Sequence, residues 1–598
     1  MQTQASSNSI PIPPILPPAL GGWADSLAPA LRRLFFPDEL IQMLEEARCA
    51  GPGTRFAARL LELLEIDFTV TSADLHRIPA RGPTMVVANH PYGIVDGLIL
   101  MIVLDRVRPD CKILANSWLR WIEALADQMI LVNPFETRAA NIENRAALRR
   151  ALRWLSYGGL LATFPSGEVA HLDWKAHSVT DPVWKATAAR LALRVRCATV
   201  PVFFEGANSV PFQVAGILHP GLRTAALARE FARMRGRSVQ LRIGTAIPSA
   251  TLSGYRDAYQ ATSYLRHRTF FLTNRSESPG VTAATPARMR TLGPAGTEKE
   301  FSDEIAALPQ QCELTRDRNF SVYLVNVPQI PLMLREIGRC RELAFRNVGE
   351  GTGNHLDLDR FDDYYQHLFL WNRSDRRLAG AYRLVVTSDL LPRFGIAGLY
   401  TSTLFRFHPD FFRRIGPALE LGRSFVLPEY QKNYAALLLL WKGITRAVQR
   451  RPEAPILFGA VSISQGYSPV SRSLIAAYLS DRAGHELARM VTPRRRFRHR
   501  AMRNEQLRRL VTMAPDIEDI SFSISDIEAD GKGMPVLIRQ YLKAGGRVLG
   551  FSVDPDFSNT LDALILADLR TAPAALLDRC LGKEEAQVLR TAPTAASR

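Results

Sequence analysis

The chain has 598 residues, with 75 Lys and Arg against 58 Asp and Glu, giving a formal net charge of +17 and a pI near 9.9. One hydrophobic core does not organise that length, so two or three domains are expected. A content of 47% hydrophobic and 22% charged residues excludes a disordered polyelectrolyte. The charge excess implies an anionic partner (nucleic acid, anionic lipid or an acidic carrier protein) without choosing among them.

Residues 1–20 are polar and then proline-rich, which reads as a flexible lead without the basic start and small-residue cleavage site of a signal peptide. From Trp23 to Leu64 helical patterns are broken at Pro37 and at Gly51-Pro52-Gly53. The pieces Ala28–Phe36 and Phe56–Leu64 set arginines beside leucine and phenylalanine. Helices resting on a lipid interface and ordinary surface helices look equally like this, and residues 1–64 are expected to form a helical, membrane-associating segment. From 65 to 274 apolar strands alternate with helices: Val86–Ala88, Ile130–Val132, Leu160–Phe164, Thr199–Phe204 and Val239–Ile243 are the strand candidates of an α/β domain. Residues 275–300 are rich in Ser, Thr, Pro, Gly and Ala and read as a linker.

A second α/β domain is expected over 301–598. Phe320–Val327 reads as a strand, Pro331–Phe345 as a helix, Leu368–Val386 as a hairpin turning at Asn372–Arg376, and Leu399–Phe405 and Ile456–Val461 as further strands. Beyond residue 505 follow a helix over Met534–Lys543 and a strand over Gly546–Val553, which are candidates to complete the second sheet. The longest apolar runs, near Leu98–Leu104 and Ala435–Trp441, fall short of the roughly 18–20 residues that span a bilayer. Six cysteines stand at no metal-ligand or redox spacing, so neither a zinc site nor a disulfide framework is indicated.

The most informative stretch is Asn89-His90-Pro91-Tyr92-Gly93-Ile94-Val95-Asp96-Gly97, just after an apolar run. It sets an imidazole and a carboxylate a short loop apart, a pairing that can take a proton from a hydroxyl near neutral pH. Asp96 also precedes an apolar helix and could serve as its N-cap, which does not exclude catalysis. Four ordered blocks, NHPYGIVDG at 89–97, ILVNPF at 130–135, FPSGE at 164–168 and VPVFFEG at 200–206, resemble the glycerolipid acyltransferase superfamily of the lysophosphatidate acyltransferase type.

That resemblance implies His90 as general base and Asp96 as the group that orients it. It also implies an acceptor or oxyanion wall from Asn89, Gly93, Phe164, Pro165, Ser166, Gly167 and Glu168, with Gly167 contributing backbone groups. Five residues separate His90 from Asp96 where the family usually has four. The arginines that grip a phosphate in that family are replaced here by Pro134 and Val169, and Glu168 would repel a phosphate. An acceptor without a phosphate monoester, and with an ammonium group, is the implication.

The runs at 330–353 and 361–385, with LELGRSFV at 419–426, resemble the acetyltransferase-like (GNAT) fold, in the branch of acyl-homoserine-lactone and N-acyl-ornithine synthases. That resemblance implies Glu420 as the group accepting an amine proton, and Arg423, Arg341, Arg346, Asp362 and Asp363 as substrate-binding residues. Gly349-Glu350-Gly351-Thr352-Gly353 lacks the Lys-Ser/Thr of a phosphate loop and reads as a gating or structural loop. The pyrophosphate loop of coenzyme-A-using relatives is not found in the sequence, which leans toward acyl carrier protein as donor, with acyl-CoA kept open. Arg494-Arg495-Arg496-Phe497-Arg498-His499-Arg500 could dock that carrier, face anionic headgroups or be a solvated loop. Without a binding motif, nucleic acid is the least favoured partner.

The whole chain resembles the bifunctional ornithine-lipid synthase family. The resemblance implies N-acylation of ornithine with a 3-hydroxyacyl group by the C-terminal domain, then O-acylation of the resulting lyso-lipid by the N-terminal one. It implies no bound cofactor or metal, thioester donors, and a peripheral site on the cytoplasmic face of the inner membrane. The alternative is a lysophospholipid acyltransferase fused to a hemolysin-like or acyl-homoserine-lactone-synthase-like domain.

Overall fold

The computed structural model describes residues 38–133, 138–173, 178–213, 227, 229–275, 289–431, 434–482, 486–498 and 504–591. The expected lead at 1–20, the helix Ala28–Phe36, Pro134, residues 276–288 of the expected linker, and His499 and Arg500 lie outside them. The chain divides into two compact units, residues 1–275 and 276–598.

The first unit is built on seven strands: β1 (Asp67–Thr69), β2 (Thr84–Ala88), β3 (Cys111–Asn116), β4 (Met129–Val132), β5 (Leu160–Thr163), β8 (Ala198–Phe204) and β9 (Ser238–Ile243), with a separate small hairpin of β6 (His171–Asp173) and β7 (Ser178–Thr180). Their order is β1-β9-β8-β2-β5-β3-β4. All neighbours are parallel except β8 and β9. β2 is buried at every position, as a parallel strand covered on both faces must be, which is why it reads as an unbroken apolar run. β1 and β3 were not expected; Cys111–Asn116 carries a lysine and an asparagine that mask its strand character.

The helix Ile94–Asp105 follows β2 and buries Val95, Leu98, Ile99, Leu100, Met101, Val103 and Leu104. Each such side chain contributes roughly 1.5–3 kcal/mol on leaving water. The helices Asp38–Cys49 and Thr54–Leu63 set Leu40, Leu44, Phe56, Leu60 and Leu61 into that same core. The described part of the expected 1–64 membrane segment is therefore integral to this unit.

The second unit has an eight-stranded sheet of β10 (Glu313–Asp317), β11 (Phe320–Val325), β12 (Gln366–Asn372), β13 (Arg377–Val386), β15 (Ala418–Val426), β16 (Ile456–Ile463), β18 (Arg547–Asp554) and β19 (Thr560–Asp568), while β14 (Phe405–Phe407) and β17 (Val491–Pro493) pair separately. The sheet order is β10-β11-β12-β13-β15-β16-β19-β18. The one parallel pair among these neighbours, β15 with β16, holds register only from Ala418↔Ile456 to Glu420↔Phe458, and the strands then part. On the other side of β15, the register with β13 slips between Ala381 and Arg383, a bulge that leaves Arg423 at φ 49°.

Two expectations are corrected here. Leu399–Phe405 is not a strand: Tyr400–Thr403 is a 3-10 turn, because its backbone N–H groups bond to a buried carboxylate rather than to a neighbouring strand. The region beyond 505 contributes two strands rather than one, since Thr560–Asp568 enters the sheet between β16 and β18.

Candidate active sites

His90 stands one residue past Asn89 at the carboxyl end of β2, where parallel α/β sheets present ligands. Its Nδ1 lies 3.0 Å from Asp96 Oδ2. The same oxygen accepts the backbone N–H groups of Tyr92 at 2.9 Å and Gly93 at 3.0 Å. An oxygen taking two backbone donors is a carboxylate acceptor, so Nδ1 carries the hydrogen and Nε2 is left as the base. Asp96 is the third residue of the helix, not its N-cap; Gly93 holds that position at φ 80°, and Asp96 bonds back to it as in a capping box. One carboxylate thus starts the helix and orients the imidazole, and the extra loop residue does not prevent the contact. Burial pushes the Asp96 carboxyl up, against the opposing pull of His90 and the two N–H groups.

Other contacts fix the ring. Phe164, just past the end of β5, stacks on His90 with centroids 4.1 Å apart. The His90 N–H donates to Asp181 Oδ1 at 3.1 Å, and Trp184 Nε1 donates to Asp181 Oδ2 at 2.9 Å. The His90 side chain remains 18% exposed while Asp96 is fully buried, so the free face of the imidazole meets solvent and its partner does not.

Several expected acceptor residues have other tasks. Asn89 is buried, donating to Phe204 O at 2.9 Å and accepting from Phe204 N at 2.7 Å, so its amide ties β2 to β8 and is not free for substrate. Gly93 spends its N–H on Asp96. Gly167, at φ 69°, donates its N–H to Phe164 O at 3.0 Å and closes a turn instead of serving an oxyanion. Ser166 is buried and donates to Glu168 O at 2.8 Å, while the Pro165 carbonyl accepts from Lys185 N. Glu168 is exposed. Val169, at a position where a phosphate-gripping arginine would stand, is buried.

In the second unit Glu420 is almost fully buried with both oxygens engaged. Oε1 accepts Thr401 N at 2.8 Å; Oε2 accepts the Tyr365 hydroxyl, and Tyr400 N at 3.3 Å. Burial pushes its carboxyl up. It anchors the turn at 400–403, and the expectation that it takes the amine proton directly is corrected, because its acceptor positions face this turn.

Arg341 is fully buried against Asp362 at 3.1 Å, which also meets Arg383 at 3.1 Å. Burial pushes Asp362 up, but Arg341, Arg383 and His367 outweigh it and hold the carboxyl below the usual range. Arg346 pairs with Glu342 at 2.7 Å, and Glu342 accepts Thr352 N and Gly353 N, fastening the glycine loop. Its Thr352–Gly353 end is thereby pinned, and Arg341, Arg346 and Asp362 build the scaffold rather than grip substrate. Asp363 is exposed and separates from Asp362. Arg423 does face a candidate site: it stacks over Phe557 at 4.2 Å and Tyr400 at 4.9 Å and pairs with Asp359 at 3.1 Å.

An acyltransferase family model matches residues 33–279, and an acetyltransferase (GNAT) domain model matches residues 340–442. A glycine N(alpha)-acyltransferase of Bacteroides thetaiotaomicron is 31% identical over 43% of this chain and 82% of its own length. An L-ornithine N(alpha)-acyltransferase of Rhodobacter capsulatus is 30% identical over 39% of this chain and 85% of its own. A lyso-glycine lipid O-acyltransferase of Phocaeicola vulgatus is 25% identical over 40% of this chain and 84% of its own. The chain belongs to the ornithine-lipid-synthase-like acyltransferase family. It is a bifunctional acyltransferase, with an acyltransferase domain followed by a GNAT domain.

Within this acyltransferase, sequence reasoning missed Asp181, which accepts the His90 backbone N–H, Trp184, which holds Asp181, and Asp357 and Asp359, which hold Arg423. It also missed Glu350, Asp554 and Asp562, three carboxyls buried around the end of the second sheet. The usable signal for Asp562 was an acid set within an otherwise apolar stretch, between Leu561 and the run Ala563–Ala567. The basic run is partly committed: Arg494 Nε donates to Ser402 O at 2.7 Å, while Arg494, Arg495, Arg496 and Arg498 keep exposed surface.

Proposed function

We propose that this protein builds an aminolipid by two acyl transfers: the C-terminal unit joins a 3-hydroxyacyl group to the α-amine of ornithine, and the N-terminal unit then esterifies the new hydroxyl. The observation that carries this reading is the 3.0 Å His90–Asp96 pair beside an FPSGE turn without arginine, a base suited to a hydroxyl on an acceptor lacking phosphate. His90 Nε2 takes the hydroxyl proton as the oxygen attacks the thioester carbonyl. Asp96 steadies the imidazolium, and the thiol departs with the proton. Glycine is a second amino-acid reading, favoured by the name of the relative from Bacteroides thetaiotaomicron.

The exposed arginines of 494–498 suit an acidic acyl carrier protein as donor. Peripheral attachment to the cytoplasmic face of an anionic membrane fits the +17 charge. Among the described residues no helix is long and apolar enough to cross a membrane.

Expression in a host lacking aminolipids, followed by lipid mass spectrometry, tests the reading. His90→Ala should accumulate the mono-acylated amino acid, and Glu420→Ala, which releases the turn that carries Tyr400 beside Arg423, should abolish both products. Accumulation of the same intermediate in both variants, or acylation of lysophosphatidate in preference to N-acylornithine, would refute it.

A further inference from the structure

The register of the last two strands sets an acidic face beside the parting of β15 and β16. Ser462, Asp562 and Ser552 are cross-strand partners, as are Thr560 and Asp554, so all five project from one side of the sheet. Glu350 reaches that side from the glycine loop and accepts the Ser462 hydroxyl at 2.7 Å. Thr560 donates to Asp562 Oδ2 at 3.3 Å. Among the described residues Arg423 is the cation set against these three buried carboxyls, so the cluster has room for the positive charge of a ligand beside it.

A second observation points to what that occupant is. Arg423, with a side chain only 9% exposed, is aimed at the same face. Its NH1 is 3.4 Å from the Tyr400 hydroxyl, which is itself 3.4 Å from Asp554 Oδ2. Arg423 Nε is buried without a hydrogen-bond partner, as is Oδ2 of the neighbouring Asp357. A guanidinium donor left open beside a set of acids matches an α-amino acid zwitterion, with its carboxylate toward Arg423 and its ammonium toward the acids.

We propose that Asp562, flanked by Asp554 and Glu350, is the carboxylate that takes a proton from the substrate's α-ammonium in N-acylation; this rests on the two-transfer reading above. The nitrogen loses one proton to Asp562 and its lone pair attacks the thioester carbonyl carbon. The C–N bond forms as the C–S bond breaks, and the thiolate takes up the second proton that nitrogen sheds. The amide keeps the third. The charged and titratable groups around Asp562 are Asp554 from β18, Glu350 from the loop, Arg423 from β15 and Tyr400 from the turn. Burial, then Asp554 and Glu350, push the Asp562 carboxyl well up, which makes it a stronger base than an ordinary aspartate.

The test uses the full chain with an acyl-acyl carrier protein and ornithine or glycine, comparing Asp562→Asn with the unaltered protein at pH 7 and 9.5. Expected is a fall of about 100-fold or more in kcat/KM for N-acylation at pH 7, narrowing at pH 9.5 where more of the amine is already unprotonated. O-acylation of supplied N-acylornithine by the N-terminal unit should be unchanged, and an unfolding transition of the second unit equal to that of the unaltered protein shows that the variant folds. Glu350→Gln should raise KM for the amino acid more than it lowers kcat. N-acylation within threefold of the unaltered chain, or a loss equal at both pH values, overturns the assignment of Asp562 alone. An unaltered chain that acylates neither amine overturns the underlying reading, and the proposal with it.

Discussion

Replacing Asp96 by asparagine separates orientation from charge in the O-acyl site. Asp96 Oδ2 accepts three donors, His90 Nδ1 and the N–H groups of Tyr92 and Gly93, while Oδ1 is buried without a partner. In Asp96→Asn the amide oxygen must take the three-donor position, since turning the NH2 inward would set it against two backbone N–H groups. Nδ1–H is then kept and the ring stays oriented, so only the charge is lost. At 3.0 Å, a full charge pair is worth about 5 kcal/mol at an effective dielectric of about 20. If the amide dipole recovers about half, the loss is roughly 3 kcal/mol, or a fall of about 100-fold in kcat/KM. Asp96→Ala, which strands all three donors, should lose more activity and also lower the melting temperature. The assay is transfer from acyl thioester to N-acylornithine with purified variants, alongside thermal unfolding. An asparagine variant within threefold of the parent would refute the role given to the carboxylate, and one as inactive and unstable as the alanine variant would refute the claim that its geometry survives.

Phe164→Ala frees the imidazole from its stacked neighbour and should lower O-acylation about tenfold while N-acylation by the same chain is untouched. Arg341→Ala leaves Asp362 buried with less compensation and should destabilise the second unit by about 3–5 kcal/mol, read as a lowered unfolding transition. Burial pushes the Glu350 carboxyl up to about 7, opposed by the Ser462 bond. The folded chain therefore holds this proton where the unfolded chain has released it. That contribution is complete below the ordinary glutamate range and is lost as pH rises through about 7. Glu350→Gln should remove this decline, leaving the variant more stable than the parent by on the order of 3 kcal/mol at pH 8 in denaturant titrations.

The His90 site was legible because its signals are local: an apolar strand, a glycine turn and an acid a few residues on lie within one loop. Even there the meaning of single residues was not legible. Asn89 and Gly167 sit inside the recognisable blocks, yet their polar groups are used by Phe204 and Phe164, which only the strand register reveals. The hairpin from Gln366 to Val386 was readable from its alternation and its polar turn. The acidic face of the second unit was not, because it joins Glu350 to Asp554 and Asp562 across some two hundred residues of chain. Glu420 looked catalytic in the sequence, since burial and the Tyr365 hydroxyl cannot be seen from the LELGR run.

The placing of β19 inside the sheet, between β16 and β18, governs how the protein comes off the ribosome. Strand β16 ends at Ile463 but its antiparallel partner does not begin until Thr560. At roughly 5–20 residues per second, translation leaves one flank of β16 uncovered for about 5–20 seconds. During that interval an apolar edge is open to wrong pairing, and the nascent chain can already hold a finished N-terminal unit while the second sheet still lacks its last two strands. Slowing synthesis between those two strands should therefore favour aggregation of the C-terminal unit, and speeding it should improve the yield of doubly active protein.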